Sequence, residues 1–150
     1  MRISWLLVGI AIMTCTLATG SVWYVDKSNT IGFEDGMSWQ TAYTTLQPAV
    51  DAAYADGGGD VWVSKGIYNE LRVGTFGSPA PIINAGSLIM KEGVKIYGGF
   101  SGIESQLEER MPQNNITVID GNTSREGEPA YSVIIAENDT EINGFTIEGG

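Results

Sequence analysis

Residues 45–68 read TLQPAVDAAYADGGGDVWVSKGIY and join an amphipathic helix to a short β-strand. The apolar positions of the helical part repeat at i, i+3, i+4 and i+7, the spacing of one helix face: Leu46, Ala49, Val50 and Ala53. Thr45 is suited to the N-cap, which places Pro48 in the first turn, where its missing N–H costs nothing. A capping box of Thr44 with Gln47 is the competing start, but it moves Pro48 one position deeper.

After the helix, the chain changes to short apolar runs separated by turns. Glycines at 57–59 end the helix, and the runs lie at 61–63, 88–90, 94–97, 116–119, 132–135 and 142–147. No amphipathic segment of helical length separates them, which excludes a βαβ sheet with crossover helices. An antiparallel sandwich and a solenoid of short coils remain.

The spacing of the runs favours the solenoid. Aligning Val61, Val94, Thr117 and Phe145 gives intervals of 33, 23 and 28 residues, within the range of roughly 20–45 residues that solenoid repeats show. Hairpin signals are weak, because the segments beside the Asp120-Gly121 turn do not alternate cleanly between apolar and polar residues.

The order of these motifs resembles the N-terminal cap and first coil of pectate-lyase-like right-handed parallel β-helix proteins. The matching positions are Val25-Asp26, Ser38-Trp39, Ala42, 46–47, 49–53, 59–63 and 66–68. Residues 93–121 are similar to the large bacterial secreted and surface β-helix proteins that are related to polymorphic outer-membrane proteins.

This resemblance implies an all-β fold, a right-handed parallel β-helix (a solenoid) with an N-terminal capping α-helix. It implies a strand, a loop and the capping helix over residues 21–60, and about three coils over residues 61–150. The helix would cover the backbone groups and the core that a first coil leaves open. Such proteins usually run on for more coils, so we expect this chain to be an N-terminal fragment truncated at its C-terminus.

Residues 1–20 have the three parts of a secretory signal peptide. Arg2 supplies the positive charge, residues 5–13 form the apolar run, and Ala18-Thr19-Gly20 is a small-x-small cleavage site. Cleavage after Gly20 is favoured over a lipid anchor at Cys15 or an uncleaved anchor, because Thr14 stands where a lipobox has Gly, Ala or Ser. We expect a secreted or cell-surface protein with no membrane span after signal removal.

Composition excludes several function classes. The net charge is −10, with 8 basic and 18 acidic residues, and the absence of a Lys/Arg cluster argues against a nucleic-acid partner. The chain has no histidine, which removes Ser-His-Asp and Cys-His mechanisms and His-based zinc sites within these residues. The single cysteine cannot form an intramolecular disulfide.

The resemblance also suggests residues for a lyase mechanism, in which carboxylates hold Ca²⁺ and a Lys or Arg removes a proton. The matching residue types are the acids Asp120, Asp139, Glu141 and Glu148 and the bases Lys95 and Arg72. The acids lack tight ligand spacing and are typical of turns. Lys95 alternates with apolar neighbours and is expected to point away from the core. We therefore assign no catalytic and no metal-binding residue.

An acidic loop and several aromatic residues complete the candidates. The loop contains Asp26, Asn29, Glu34 and Asp35. It lacks the EF-hand spacing, so we predict no cofactor, and Ca²⁺ is the one alternative left open. The aromatic residues suit stacking on sugar rings, although their place in apolar runs favours core packing: Trp23, Trp39, Trp62 and Tyr97.

Two functions follow from the sequence. The first is an exported β-helix scaffold, an adhesin-like or glycan-binding protein without catalysis in these residues, whose partner is a polysaccharide or a cell-surface glycan. The second is the N-terminal part of a polysaccharide lyase or hydrolase whose active coils lie beyond residue 150. Fold alone does not decide between them.

Overall fold

The computed structural model describes residues 20–73 and 84–150, so residues 1–19 of the predicted signal peptide, with Cys15, lie outside the described residues. The described part contains the helix α1 (Leu46–Ala55) and the strands β1 (Ser21–Val25), β2 (Gly59–Ser64), β3 (Gly66–Tyr68), β4 (Leu88–Ile89), β5 (Val94–Phe100), β6 (Thr117–Asp120), β7 (Ile134–Ile135), β8 (Glu141–Asn143) and β9 (Thr146–Glu148). Short 3-10 helices lie at Trp39–Thr41 and Leu107–Glu109. Within these ranges, no helix has the length and apolar character needed to cross a membrane.

The strands form three sheets, and every strand pairs in parallel with its neighbours. The sheets have the orders β1-β2-β5-β8, β3-β6-β9 and β4-β7. After β1 the chain visits the first, second and third sheet as β2, β3 and β4, again as β5, β6 and β7, and then reaches β8 and β9. This topology confirms a mostly β structure with one helix, and it rules out the antiparallel sandwich for the described strands.

Helix α1 confirms the periodicity of the sequence. Thr45 is its N-cap, and the buried residues are the four that the spacing predicts: Leu46, Ala49, Val50 and Ala53. The Thr45 side chain makes no capping bond; instead the Leu46 amide donates to Glu70 Oε1 at 3.2 Å. The helix contacts β1, β2, β4 and β5. Full burial of a Leu or Val side chain is worth about 1.5–3 kcal/mol, so the apolar face fixes α1 to the sheets.

The strand register corrects the repeat predicted from the sequence. Val61 pairs with Ile96 and not with Val94, whose partner is Gly59. Thr117 lies in a different sheet, on β6, and Phe145 lies between β8 and β9. The alignment was wrong because inward-facing runs of all three sheets carry the same kind of apolar residue. The equivalent inward positions of the first sheet are Trp23, Val61, Ile96 and Ile142.

One apolar core lies between the three sheets and α1. Val25, Val61, Val63 and Ile96 contribute to it from the first sheet, and their side chains are fully buried. The second sheet adds Tyr68 and Ile119, and the third adds Leu88. Because alternate residues of a strand face opposite sides, the neighbours of these core residues lie on the outer face.

Candidate functional site

The outer face of the first sheet carries a row of charged side chains. Asp60 on β2 pairs with Lys95 on β5, and Lys95 pairs with Glu141 on β8. Neighbouring strands lie about 4.8 Å apart, so successive charged residues of the row are separated by about that distance across the sheet. All three residues are half-buried, whereas Val94 and Ile96 beside Lys95 are buried. Lys95 therefore lies on the outer face between two carboxylates.

A second row lies one pleat further along the same strands. It consists of Tyr24, Trp62, Tyr97 and Asn143 in register. The Tyr97 hydroxyl donates to Glu141 Oε2 at 3.2 Å and so connects the two rows. Arg110 comes from the loop after β5: its guanidinium lies 5.2 Å from the Tyr97 ring centroid and donates to Asn143 Oδ1 at 2.8 Å.

The charges of the two rows affect each other's ionisation. Burial raises the pKa of Asp60, the Lys95 ammonium opposes that shift, and the Glu141 carboxylate adds to it. Burial raises the pKa of Tyr97 to about 12, and the negative charges of Asp60 and Glu141 contribute to the rise. At neutral pH Tyr97 is therefore a hydroxyl donor. The face offers donors and acceptors side by side, the combination that sugar hydroxyls use.

The aromatic residues pack mainly against each other. Trp62 is 5% exposed and Tyr97 is 7% exposed, and the Trp62 ring stacks on Phe100 with centroids 4.8 Å apart. Trp39 packs edge-on against Tyr24 at 4.8 Å and donates its indole N–H to the Glu104 carbonyl. Trp23 packs against the inner core. Their main contribution is apolar contact on both sides of the sheet, which fixes the outer rows in place.

The acidic loop uses its side chains to hold its own backbone. Asp26 Oδ1 accepts hydrogen bonds from the Ser28 amide and from Ser64 Oγ, both at 2.9 Å. Hydrogen bonds from the Thr41 side chain and the Met37 amide hold the pKa of Asp35 below its ordinary value.

The other members of the loop are also engaged. Glu34 accepts from the amide and the hydroxyl of Thr44, and Asn29 donates to the Ala42 carbonyl. In residues 20–73 and 84–150, no group of three or more His, Cys, Asp or Glu side chains is arranged to hold a metal ion.

The remaining acidic candidates do not join the row of Asp60, Lys95 and Glu141. Asp120 and Glu148 are register neighbours in the second sheet, and Asp120 Oδ1 accepts from the Asn122 amide. Asp139 lies in the turn before β8 with a φ of 51°. The structure thus brings Lys95 together with Glu141, and Asp120 with Glu148, as two separate pairs.

Arg72, the second basic candidate, is an internal structural residue and is not accessible as a base. It is 4% exposed and donates to the carbonyls of Tyr68 at 2.6 Å, Gly86 at 3.3 Å and Asp120 at 3.4 Å. Its Nε lies 3.5 Å from Glu70 Oε1. These bonds tie the ends of β3 and β6 to the segment before β4.

A cavity of about 410 Å³ lies next to this ion pair. Its walls are the first turns of α1, the segment after β3, and β4 with its flanking residues. The polar lining includes Gln47, Glu70, Ser87 and Lys91.

Three residues of these sites were not predicted from the sequence: Asp60, Glu70 and Ser87. Asp60 had a signal: each of β2, β5 and β8 carries a charged residue two positions before Trp62, Tyr97 and Asn143 respectively. That repeat becomes visible only with the right register. Glu70 and Ser87 belong to the cavity, and no sequence signal identifies them.

Comparison with known proteins gives one match. A model of the family described as "Protein of unknown function (DUF1565)" matches residues 31–150, which include most of the described chain and the charged row. No curated protein and no solved structure matches the chain.

Proposed function

We propose that this chain, which belongs to the family described as "Protein of unknown function (DUF1565)", is an exported β-helix scaffold that binds a glycan without cleaving it. A family of unknown function leaves the activity open, so the proposal depends on the geometry of the outer sheet face and on the sequence.

We also propose that the three parallel sheets form a right-handed parallel β-helix. The three parallel sheets are visited in the same order twice and then entered again. A right-handed parallel β-helix produces this order, with each circuit of three strands forming one coil. Helix α1 packs at the start of the first sheet, against β1 and β2, which supports its role as the N-terminal cap.

The row of Asp60, Lys95 and Glu141 is the proposed glycan-binding surface. Lys95 supplies donors and the carboxylates supply acceptors, while Tyr97 and the Arg110–Asn143 pair extend the polar surface on one side. The interval of about 4.8 Å between strands places an acceptor, a donor and a second acceptor against successive parts of an extended polymer. The net charge of −10 disfavours a polyanion, so the expected ligand is a neutral polysaccharide.

Affinity electrophoresis tests this function. Gels containing neutral glucan, mannan, xylan or galactan should retard the chain, and Lys95→Ala should abolish the retardation. Lys65→Ala is the matched control, because Lys65 is exposed and follows β2 outside the row. Equal retardation of the two variants, or no retardation by any neutral polymer, would refute the proposal.

The lyase alternative is favoured by one observation, the position of Lys95 between two carboxylates. These residue types match the general scheme in which carboxylates hold Ca²⁺ and a lysine removes the proton next to a uronate. Incubation with pectate or alginate distinguishes the two functions. Formation of unsaturated uronate products would establish the alternative and contradict binding without cleavage.

A further inference from the structure

We propose that the cavity beside the Glu70–Arg72 pair is a second glycan subsite that takes one neutral sugar residue, an inference that rests on the proposed function. This cavity lies beside β4, whereas the charged row lies on the outer face of a different sheet. A chain bound along that face does not need it.

The cavity has a preformed wall. The Gln47 side chain donates to the Ile89 carbonyl at 3.0 Å and accepts from the Ile89 amide at 2.9 Å. Gln47 thus pairs with β4 as a neighbouring strand would, and Asp51 Oδ1 accepts a further bond from its amide group. The volume of about 410 Å³ falls at the small end of ligand pockets, which measure about 300–1,000 Å³. This size suits a single sugar residue.

Two buried polar atoms of the lining have no partner. Ser87 is 2% exposed and lines the cavity, and its Oγ makes no hydrogen bond. Glu70 Oε1 accepts from Leu46 and Arg72, whereas Glu70 Oε2 is buried and unpaired. Buried polar groups are nearly always paired. Both atoms lie just beneath the surface of the lining. Rotation of the Ser87 or Glu70 side chain would therefore present an unpaired hydroxyl or carboxylate oxygen to a ligand that supplies hydroxyl groups.

The charges of the lining favour a neutral ligand. Asp51 and Glu70 are balanced by Lys91 and Arg72, and Arg72 is occupied by three carbonyl bonds. An anion would lie beside the Glu70 carboxylate, and a cation would lie beside the Lys91 ammonium. Apolar side chains complete the lining and suit the C–H face of a sugar: Pro48, Leu71, Val73 and Ile89.

Two variants and a control test the subsite in the whole chain. Ser87→Ala removes a hydroxyl that has no partner, so the variant should fold as stably as the parent. Glu70→Gln keeps an oxygen to accept from the Leu46 amide but places an amide N–H₂ group where Oε2 lies. Lys95→Ala changes only the outer sheet face and is the control.

The probes are methyl glucoside, methyl galactoside and N-acetylglucosamine, with glucuronate and glucosamine as charged counterparts. NMR titration should show saturable shifts of the Ser87 and Lys91 amides with at least one neutral sugar. Loss of one hydrogen bond corresponds to about tenfold in affinity, so Ser87→Ala and Glu70→Gln should each weaken binding about tenfold, with no change in Lys95→Ala.

Three results would overturn the subsite. The first is that no sugar shifts these amides, and the second is that a charged sugar binds more tightly than every neutral one. The third is that Ser87→Ala leaves the affinity unchanged. If neutral polymers still bind the parent chain and fail to bind Lys95→Ala, the subsite alone has failed and the proposed function stands. If the monosaccharide binds in the cavity but no polymer binds the chain, the sheet-face function has failed instead.

Discussion

Replacing Arg72 with Met should destabilise the fold strongly, because Met fills a similar space without donating. The short bond to the Tyr68 carbonyl, at 2.6 Å, is charge-assisted and worth about 2 kcal/mol. The longer bonds to Gly86 and Asp120, at 3.3 and 3.4 Å, add about 1 kcal/mol together. Leaving the Glu70 carboxylate without its cation adds about 1 kcal/mol. The expected loss is about 4 kcal/mol, inside the range of about 3–5 kcal/mol for breaking a buried pair.

Urea unfolding followed by tryptophan fluorescence measures this loss. With a slope of about 2 kcal/mol per molar urea, Arg72→Met should lower the midpoint by about 2 M. The double variant Arg72→Met/Glu70→Gln should recover about 1 kcal/mol, since no unpaired buried charge remains. Lys95→Ala, which removes a half-buried side chain from the outer face, should change the midpoint little. A loss below about 1 kcal/mol for Arg72→Met, or no recovery in the double variant, would show that the buried Arg72 bonds do not stabilise the fold in this way.

Three further perturbations test the packing and the charges. Gly98→Ala should cost about 2 kcal/mol by overpacking, because its added Cβ would lie 2.6 Å from the Gly144 carbonyl oxygen; an unchanged urea midpoint would contradict this contact. Since burial raises the pKa of Asp60, the folded state favours the neutral carboxyl, and the stabilisation present below the ordinary pKa is lost as the pH rises. Asp60→Asn should therefore gain stability relative to the parent as the pH rises from about 4 to about 7. A difference in unfolding free energy between variant and parent that shrinks over this range would contradict the prediction. Tyr68 and Tyr97, each with a pKa raised to about 12 by burial, should ionise last in a spectrophotometric titration, and Tyr97→Phe should remove one late group.

Local signals predicted the helix well. Thr45, Pro48 and the apolar period of α1 lie within a few residues of each other, so each supports the others without knowledge of the rest of the fold. The structure confirms the helix and all four buried positions. The Glu70 bond to the Leu46 amide was not predictable, because Glu70 lies 24 residues away and only the fold brings it to the helix.

The register of the strands is the feature of the fold that could not be predicted from the sequence. The equivalent positions Val61, Ile96 and Ile142 are separated by intervals of 35 and 46 residues, and connections of variable length hide such a repeat. Lys95 and Glu141 were both candidates, but their adjacency depends on that register. Arg72 was named only as a basic candidate, and its structural role was not predictable because nothing local shows that three carbonyl groups surround it.

The most direct test of binding without cleavage is one NMR titration of the whole chain with neutral tetrasaccharides of glucan, mannan, xylan and galactan, with reducing ends counted in the same samples. We predict saturable shifts of the Lys95, Glu141 and Asn143 amides with at least one tetrasaccharide, and a constant number of reducing ends. Shifts confined to other surfaces, or a rising number of reducing ends, would contradict a glycan-binding outer sheet face without catalysis.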